Sequence, residues 1–212
     1  MEANRFEAEH SKASSLEVND LAADGLDLTS VNDVASALKQ VADDAEARFG
    51  RLSAPQLNWK PEPTQWSVAQ CLDHLIVIQS SYFPLFDRLQ EGTFSPTLWE
   101  RLSPFSRPLG RALIRALDPE NPRKSKAAAS TEPSMSDLSS DIVPRFVQHQ
   151  EELAGRVRAL PGTLDAGRVI ITSPMSAFVT YSLEDCFAIL VVHGRRHLAQ
   201  AERVTQAPGF PS

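Results

Sequence analysis

The sequence predicts an all-α domain, a four-helix bundle with long crossover connections, and three observations carry that expectation. Four stretches repeat apolar residues at steps of three and four, the period of a helix that buries one face. Segments rich in Pro, Ser and Gly separate these stretches. No strand-like alternation approaches them in strength, and Arg168 to Ile171 is the one short extended piece. Four amphipathic segments cannot bury their stripes singly, so packing them together is the simplest joint solution. The second and third connections are long, so the helices need not simply alternate up and down.

Residues 1–29 are polar and rich in Ala, Ser and Glu, with scattered Leu and no sustained period. They predict a flexible N-terminal extension, with the folded domain over residues 30–212. The first helix is expected from about Asn32 to Phe49, because Val34, Leu38, Val41, Ala45 and Phe49 share a face. Gly50 and Pro55 then stop it. A second helix should begin at Ser67, after Pro61 and Pro63 force an extended approach. Ser67 with Gln70 three residues on is a capping-box pair. Val68, Cys71, Leu72, Leu75, Tyr82, Phe86 and Leu89 mark its stripe, interrupted by Gln79, and Pro84 should bend or end it. In the middle of the chain Leu98 to Leu102 and Leu109 to Leu117 suit short helices, and Asn121 to Ser130 suits an exposed loop. The third helix is expected over Ser134 to Leu160, kinked at Pro144 and ended by Pro161-Gly162. A long connection, Thr163 to Tyr181, leads to a fourth helix. That helix is capped by Ser182 with Asp185 and runs to about Gln206.

Composition narrows the function classes. The chain has 212 residues, 42% of them apolar and 23% charged, enough for one domain with a sizeable core. A net charge of −6 argues against nucleic acid as a general partner, since phosphate binding needs a basic face. No run reaches the ~20 apolar residues of a membrane span, and Met1 to Ser30 reads as neither a signal nor a transit peptide. The two cysteines, Cys71 and Cys186, make no disulfide framework. A soluble, cytoplasmic setting is the expectation.

The chemistry rests on histidine. There are five, His10, His74, His149, His193 and His197, the first lying in the extension. His193 and His197 stand four apart, which on a helix puts their side chains ~6 Å apart on one face. At ~100° per residue they align with Cys186, Leu190, Ala201 and Val204, while Arg195 and Arg196 point to solvent. Residue 194 is Gly, so the Glu of a His-Glu-x-x-His protease is missing. His74 lies at the margin of the second helix's stripe, within reach of a neighbouring helix. Three imidazoles from two helices make a facial ligand set with positions left open, the mark of a catalytic rather than a structural metal. Each histidine, taken alone, reads more simply as an ordinary core or boundary residue.

Two blocks carry a family resemblance. Asn58-Trp59-Lys60-Pro61 followed by Gln65-Trp66-Ser67-Val68-Ala69-Gln70-Cys71-Leu72-Asp73-His74-Leu75 resembles the first signature of the DinB-like superfamily. Ser182-Leu183-Glu184-Asp185 followed by His193-Gly194-Arg195-Arg196-His197-Leu198-Ala199-Gln200 resembles the second. The resemblance covers residues 34–206. It implies a four-helix bundle whose His triad binds a divalent metal ion (Zn, Ni, Mn or Fe), with the ligands falling on His74, His193 and His197.

Other residues read as structural. His149 lies on the third helix's apolar stripe as a hydrogen-bonded core residue, or as a group facing the same cavity. Cys71 and Cys186 pack inward, Gln200 could orient a ligand, and Gly194 suits a close helix contact. Trp59 and Trp66 are expected to pack the end of the bundle. The resemblance to the DinB-like superfamily implies two functions. One is a metal-dependent enzyme, a thiol-dependent S-transferase or a hydrolase, acting on a small-molecule substrate such as a low-molecular-weight thiol, with the catalytic base unassigned. The other is a non-catalytic module of stress response that binds metal or a small ligand, or forms a homodimer.

Overall fold

The structure, a computed structural model, describes Leu28 and residues 30–118 and 137–212. The expected N-terminal extension, Leu28 apart, and the expected loop Asn121 to Ser130 lie outside the described residues. The described elements are α1 (Val31–Phe49), α2 (Ala54–Asn58), α3 (Val68–Ser80), α4 (Phe83–Gln90), α5 (Leu98–Leu102), α6 (Ser106–Leu117), α7 (Ile142–Arg158), β1 (Ile170–Thr172), β2 (Thr180–Ser182) and α8 (Leu183–Thr205). The domain is helical. None of these helices is long and apolar enough to cross a membrane.

The long helices begin where capping chemistry places them. Ser67 Oγ accepts from Gln70 N at 3.2 Å while Gln70 Oε1 accepts from Ser67 N at 3.2 Å, fixing the start of α3. Ser182 Oγ accepts from Asp185 N at 3.0 Å, and Asp185 Oδ2 accepts from Ser182 N at 3.4 Å, fixing the start of α8. Pro84 acts as expected: α3 ends at Ser80, and α4 restarts with Pro84 in its first turn, where a missing N–H costs nothing.

Two expectations need correcting. The third helix is shorter at its start than the predicted Ser134 to Leu160, because Leu138 is held outside it. The Asn58 side chain takes both backbone groups of Leu138, accepting from its N–H at 2.8 Å and donating to its carbonyl at 2.9 Å. Pro144 is then the third residue of α7 and lies in its first turn, not at a kink. The connection Thr163 to Tyr181 also holds more structure than expected. Its extended piece is β1, which pairs antiparallel with β2, Ile171 opposite Tyr181. Three residues of β2 running straight into a helix cap gave no alternation to read.

Helices α1, α3, α7 and α8 pack in a ring, α1 and α3 each lying against both α7 and α8. Side-chain pairs set their directions. Gly194 sits against Val41, and Arg48 pairs with Glu202 at 2.9 Å, so α1 and α8 run the same way. Gln79 donates to the Leu190 carbonyl at 3.4 Å while His74 meets His193 and His197, so α3 runs against α8. Gln150 bonds Gln79 and Arg156 pairs with Asp87, so α7 runs with α3 and α4. The order is up, down, down, up, with α4 to α6 lying in the chain between the two helices, α3 and α7, that run the same way. The core divides into two clusters along the ring. One is centred on Leu38, Phe86, Leu153 and Tyr181, the other on Val41, Leu72, Phe146 and Leu198.

Candidate metal centre

The site forms where α3 crosses α8. The capping box at Ser67 sets the phase of α3, and two turns on His74 points at α8 between the buried Leu72 and Leu75. On α8 His193 and His197 share the face that carries Cys186, Leu190, Ala201 and Val204, all buried. Gly194 makes the approach of α1 possible, since a Cβ there would lie 3.1 Å from Val41 Cγ1. The close helix contact read from that glycine is therefore present.

All three expected histidines come together. One nitrogen from each of His74, His193 and His197 lies within 4.8 Å of the other two. His193 Nε2 and His197 Nε2 are 3.0 Å apart, and the His74 ring centroid lies 5.3 Å from His193 and 4.6 Å from His197. Nitrogens bound tetrahedrally at ~2.0–2.1 Å to one ion would stand about 3.3 Å apart, so the His193–His197 spacing is close to that of a shared cation and His74 lies within reach of the same point. The same 3.0 Å suits a hydrogen bond between one protonated and one bare imidazole nitrogen. The three rings are 3%, 8% and 7% exposed. Burial, then His74, then the Arg196 charge hold His193 down to about 3. Burial first, then the other two histidines and Arg196, hold His197 well below its ordinary range, against a weak opposing pull from Gln200. Both rings are thus neutral at pH 7, with lone pairs available to a metal. No cysteine or carboxylate joins the cluster among the described residues.

Several neighbours differ from expectation. Trp66 does not simply pack the bundle end; its half-buried indole lies 4.7 Å from the His74 ring and stacks on His197 at 5.5 Å and 18°. Sequence reasoning missed it, although its place just before the Ser67 cap, two turns from His74, was a usable signal. Trp59 does pack an end, edge-on to Phe210 at 5.5 Å. Arg196 is half-buried and donates to the Asp118 carbonyl at 2.9 Å, so its charge is felt by two triad histidines instead of standing in solvent. His149 stands apart from the triad. It packs on Phe83 of α4 at 5.2 Å and is not among the groups that gather with His74. Its Nε2 is buried with no hydrogen-bond partner among the described residues. Cys71 and Cys186 are free and buried, and burial pushes the Cys71 thiol up to about 12 and the Cys186 thiol higher still. Both are packing residues, as expected.

Two cavities open elsewhere, one of about 430 Å³ between α4, α5 and the β1–β2 hairpin and one of about 680 Å³ between α5 and the hairpin, and no triad histidine lines either. The chain matches no curated protein and no solved structure. A family model described as the DinB superfamily does match, over residues 37–201. That span reaches from the middle of α1 nearly to the end of α8 and takes in all three site histidines, and the chain belongs to the DinB superfamily.

Proposed function

We propose that the protein is a metal-dependent enzyme that holds one divalent cation on His74, His193 and His197 and acts on a low-molecular-weight thiol or a hydrolysable small molecule. The observation that supports this reading is the convergence of three buried imidazole nitrogens from two helices. Three neutral ligands leave the cation's full charge uncompensated, so the set favours an anionic fourth partner such as a thiolate. A cation bound there supplies Lewis acidity, lowering the pKa of a thiol or water that reaches it. The chain's own contribution is to keep the rings deprotonated by burial, to exclude bulk water, and to place the Arg196 charge beside them.

A second reading, a non-catalytic metal-binding module, is favoured by the burial of all three histidines, none of which lines either of the two cavities described. Cobalt(II)-loaded protein separates the two. A thiolate-to-cobalt absorption band appearing with millimolar thiol, together with thiol consumption in the presence of an electrophile, supports the enzyme. An unchanged spectrum with every thiol and electrophile offered supports the module.

A further inference from the structure

We propose that Trp66 is the positioning residue of the three-histidine site, its indole holding His74 and His197 in the orientation that lets the nitrogens converge. The proposal rests on the metal-binding reading above and adds a residue to it. Histidine ligands are ordinarily oriented by a hydrogen bond from the ring nitrogen that does not face the metal. At His197 that device is weak: Nδ1 is buried with no hydrogen bond of ordinary length among the described residues, and Gln200, one turn on, exerts only the smallest of the pulls on the ring. The torsion that spins an imidazole is broad and nearly two-fold, so where the polar restraint is weak the ring's plane is set by packing.

Trp66 supplies the packing. Its ring is nearly parallel to His197, 18° between planes at 5.5 Å, and tilted 55° to His74 at 4.7 Å, so one rigid surface touches both. His193 meets both of these rings edge-on, at 76° and 81°, so its plane is fixed through theirs. The indole is itself anchored. It precedes Ser67, whose reciprocal hydrogen bonds with Gln70 fix the backbone entering α3. Trp66 and His74 are therefore tied to the same capped helix, while His193 and His197 come from α8.

The test uses the full chain, metal-free and titrated with cobalt(II), reading the visible d–d bands for geometry and chelator competition for affinity. Trp66→Phe keeps a flat apolar face and should bind within about threefold of wild type. Trp66→Leu keeps apolar bulk without the plane and should bind about tenfold more weakly or worse, with altered d–d bands, while the metal-free thermal midpoint shows that it is folded. Should the leucine variant not fold, Trp66→Met fills the space flexibly and is read the same way. Leu or Met variants that match wild type in affinity and bands would overturn the positioning role. A wild type that takes up no cobalt would instead overturn the metal reading, so the two failures are distinct.

Discussion

Replacing Gly110 by Ala probes the anchoring of the helix that carries two of the three histidines. Gly110 sits inside α6 and faces the first turn of α8. By propensity alone Gly→Ala in a helix stabilises by about 1 kcal/mol. The added Cβ, however, would lie 2.4 Å from Asp185 Oδ2, 2.6 Å from its Cγ and 2.9 Å from its Cβ. Asp185 Oδ2 is the atom that accepts from Ser182 Oγ at 2.8 Å in the capping box of α8. Making room means displacing that carboxylate, at about 0.5–2 kcal/mol for the cap, or straining the α6–α8 contact, at about 1–3 kcal/mol. The net expectation is destabilisation by about 1–3 kcal/mol, a fall in Tm of roughly 3–10 °C for a domain of this size. Urea and thermal unfolding followed by circular dichroism measure it, best with Asp185→Ala as a second background. Removing the carboxylate relieves the two closest contacts, so Gly110→Ala should cost at least about 1 kcal/mol less there. An equal cost in both backgrounds, or a Gly110→Ala protein more stable than wild type, would refute the reasoning.

Other outcomes follow from the same packing. His193 and His197 are held neutral in the fold, whereas in the unfolded chain they titrate near 6.5. The unfolded state therefore takes up more protons below pH 6.5. The stability of metal-free protein should be flat above that pH and fall from pH 6.5 to 5 by up to ~1.4 kcal/mol per pH unit for each buried ring; urea midpoints showing no slope in that window would contradict it. His149→Phe removes a buried nitrogen without a partner and extends the contact with Phe83. It should leave metal content unchanged and stability equal or higher by about 1 kcal/mol, whereas loss of metal would tie His149 to the site. Cys71 and Cys186 should resist a thiol-specific disulfide reagent in the native protein and react only as fast as it unfolds, which stopped labelling with mass spectrometry would show.

Much of this was legible because the strongest signals were local. The starts of α3 and α8 were readable from Ser67 with Gln70 and Ser182 with Asp185, since a capping box is complete within four residues. His193 and His197 were readable because a four-residue step on a helix defines a shared face. What escaped depended on distant partners. The start of α7 is set by an Asn58 side chain that clamps Leu138 from 80 residues away. Trp66 was misassigned because its contact with His197 exists only once α3 and α8 cross. The cluster of Gln79 with Gln150 and the Leu190 carbonyl shows the same limit, since one polar residue in an apolar stripe announces itself but not its partner.

The most direct measurement is the metal content, by plasma mass spectrometry, of untagged, dialysed full-length protein beside His74→Ala, His193→Ala and His197→Ala. Convergence of the three rings predicts about one equivalent of a transition metal in the wild type and its loss in each variant, with every protein still folded. A well-folded wild type that holds no metal and takes up none of added Zn, Ni, Mn or Fe would contradict the three-histidine site.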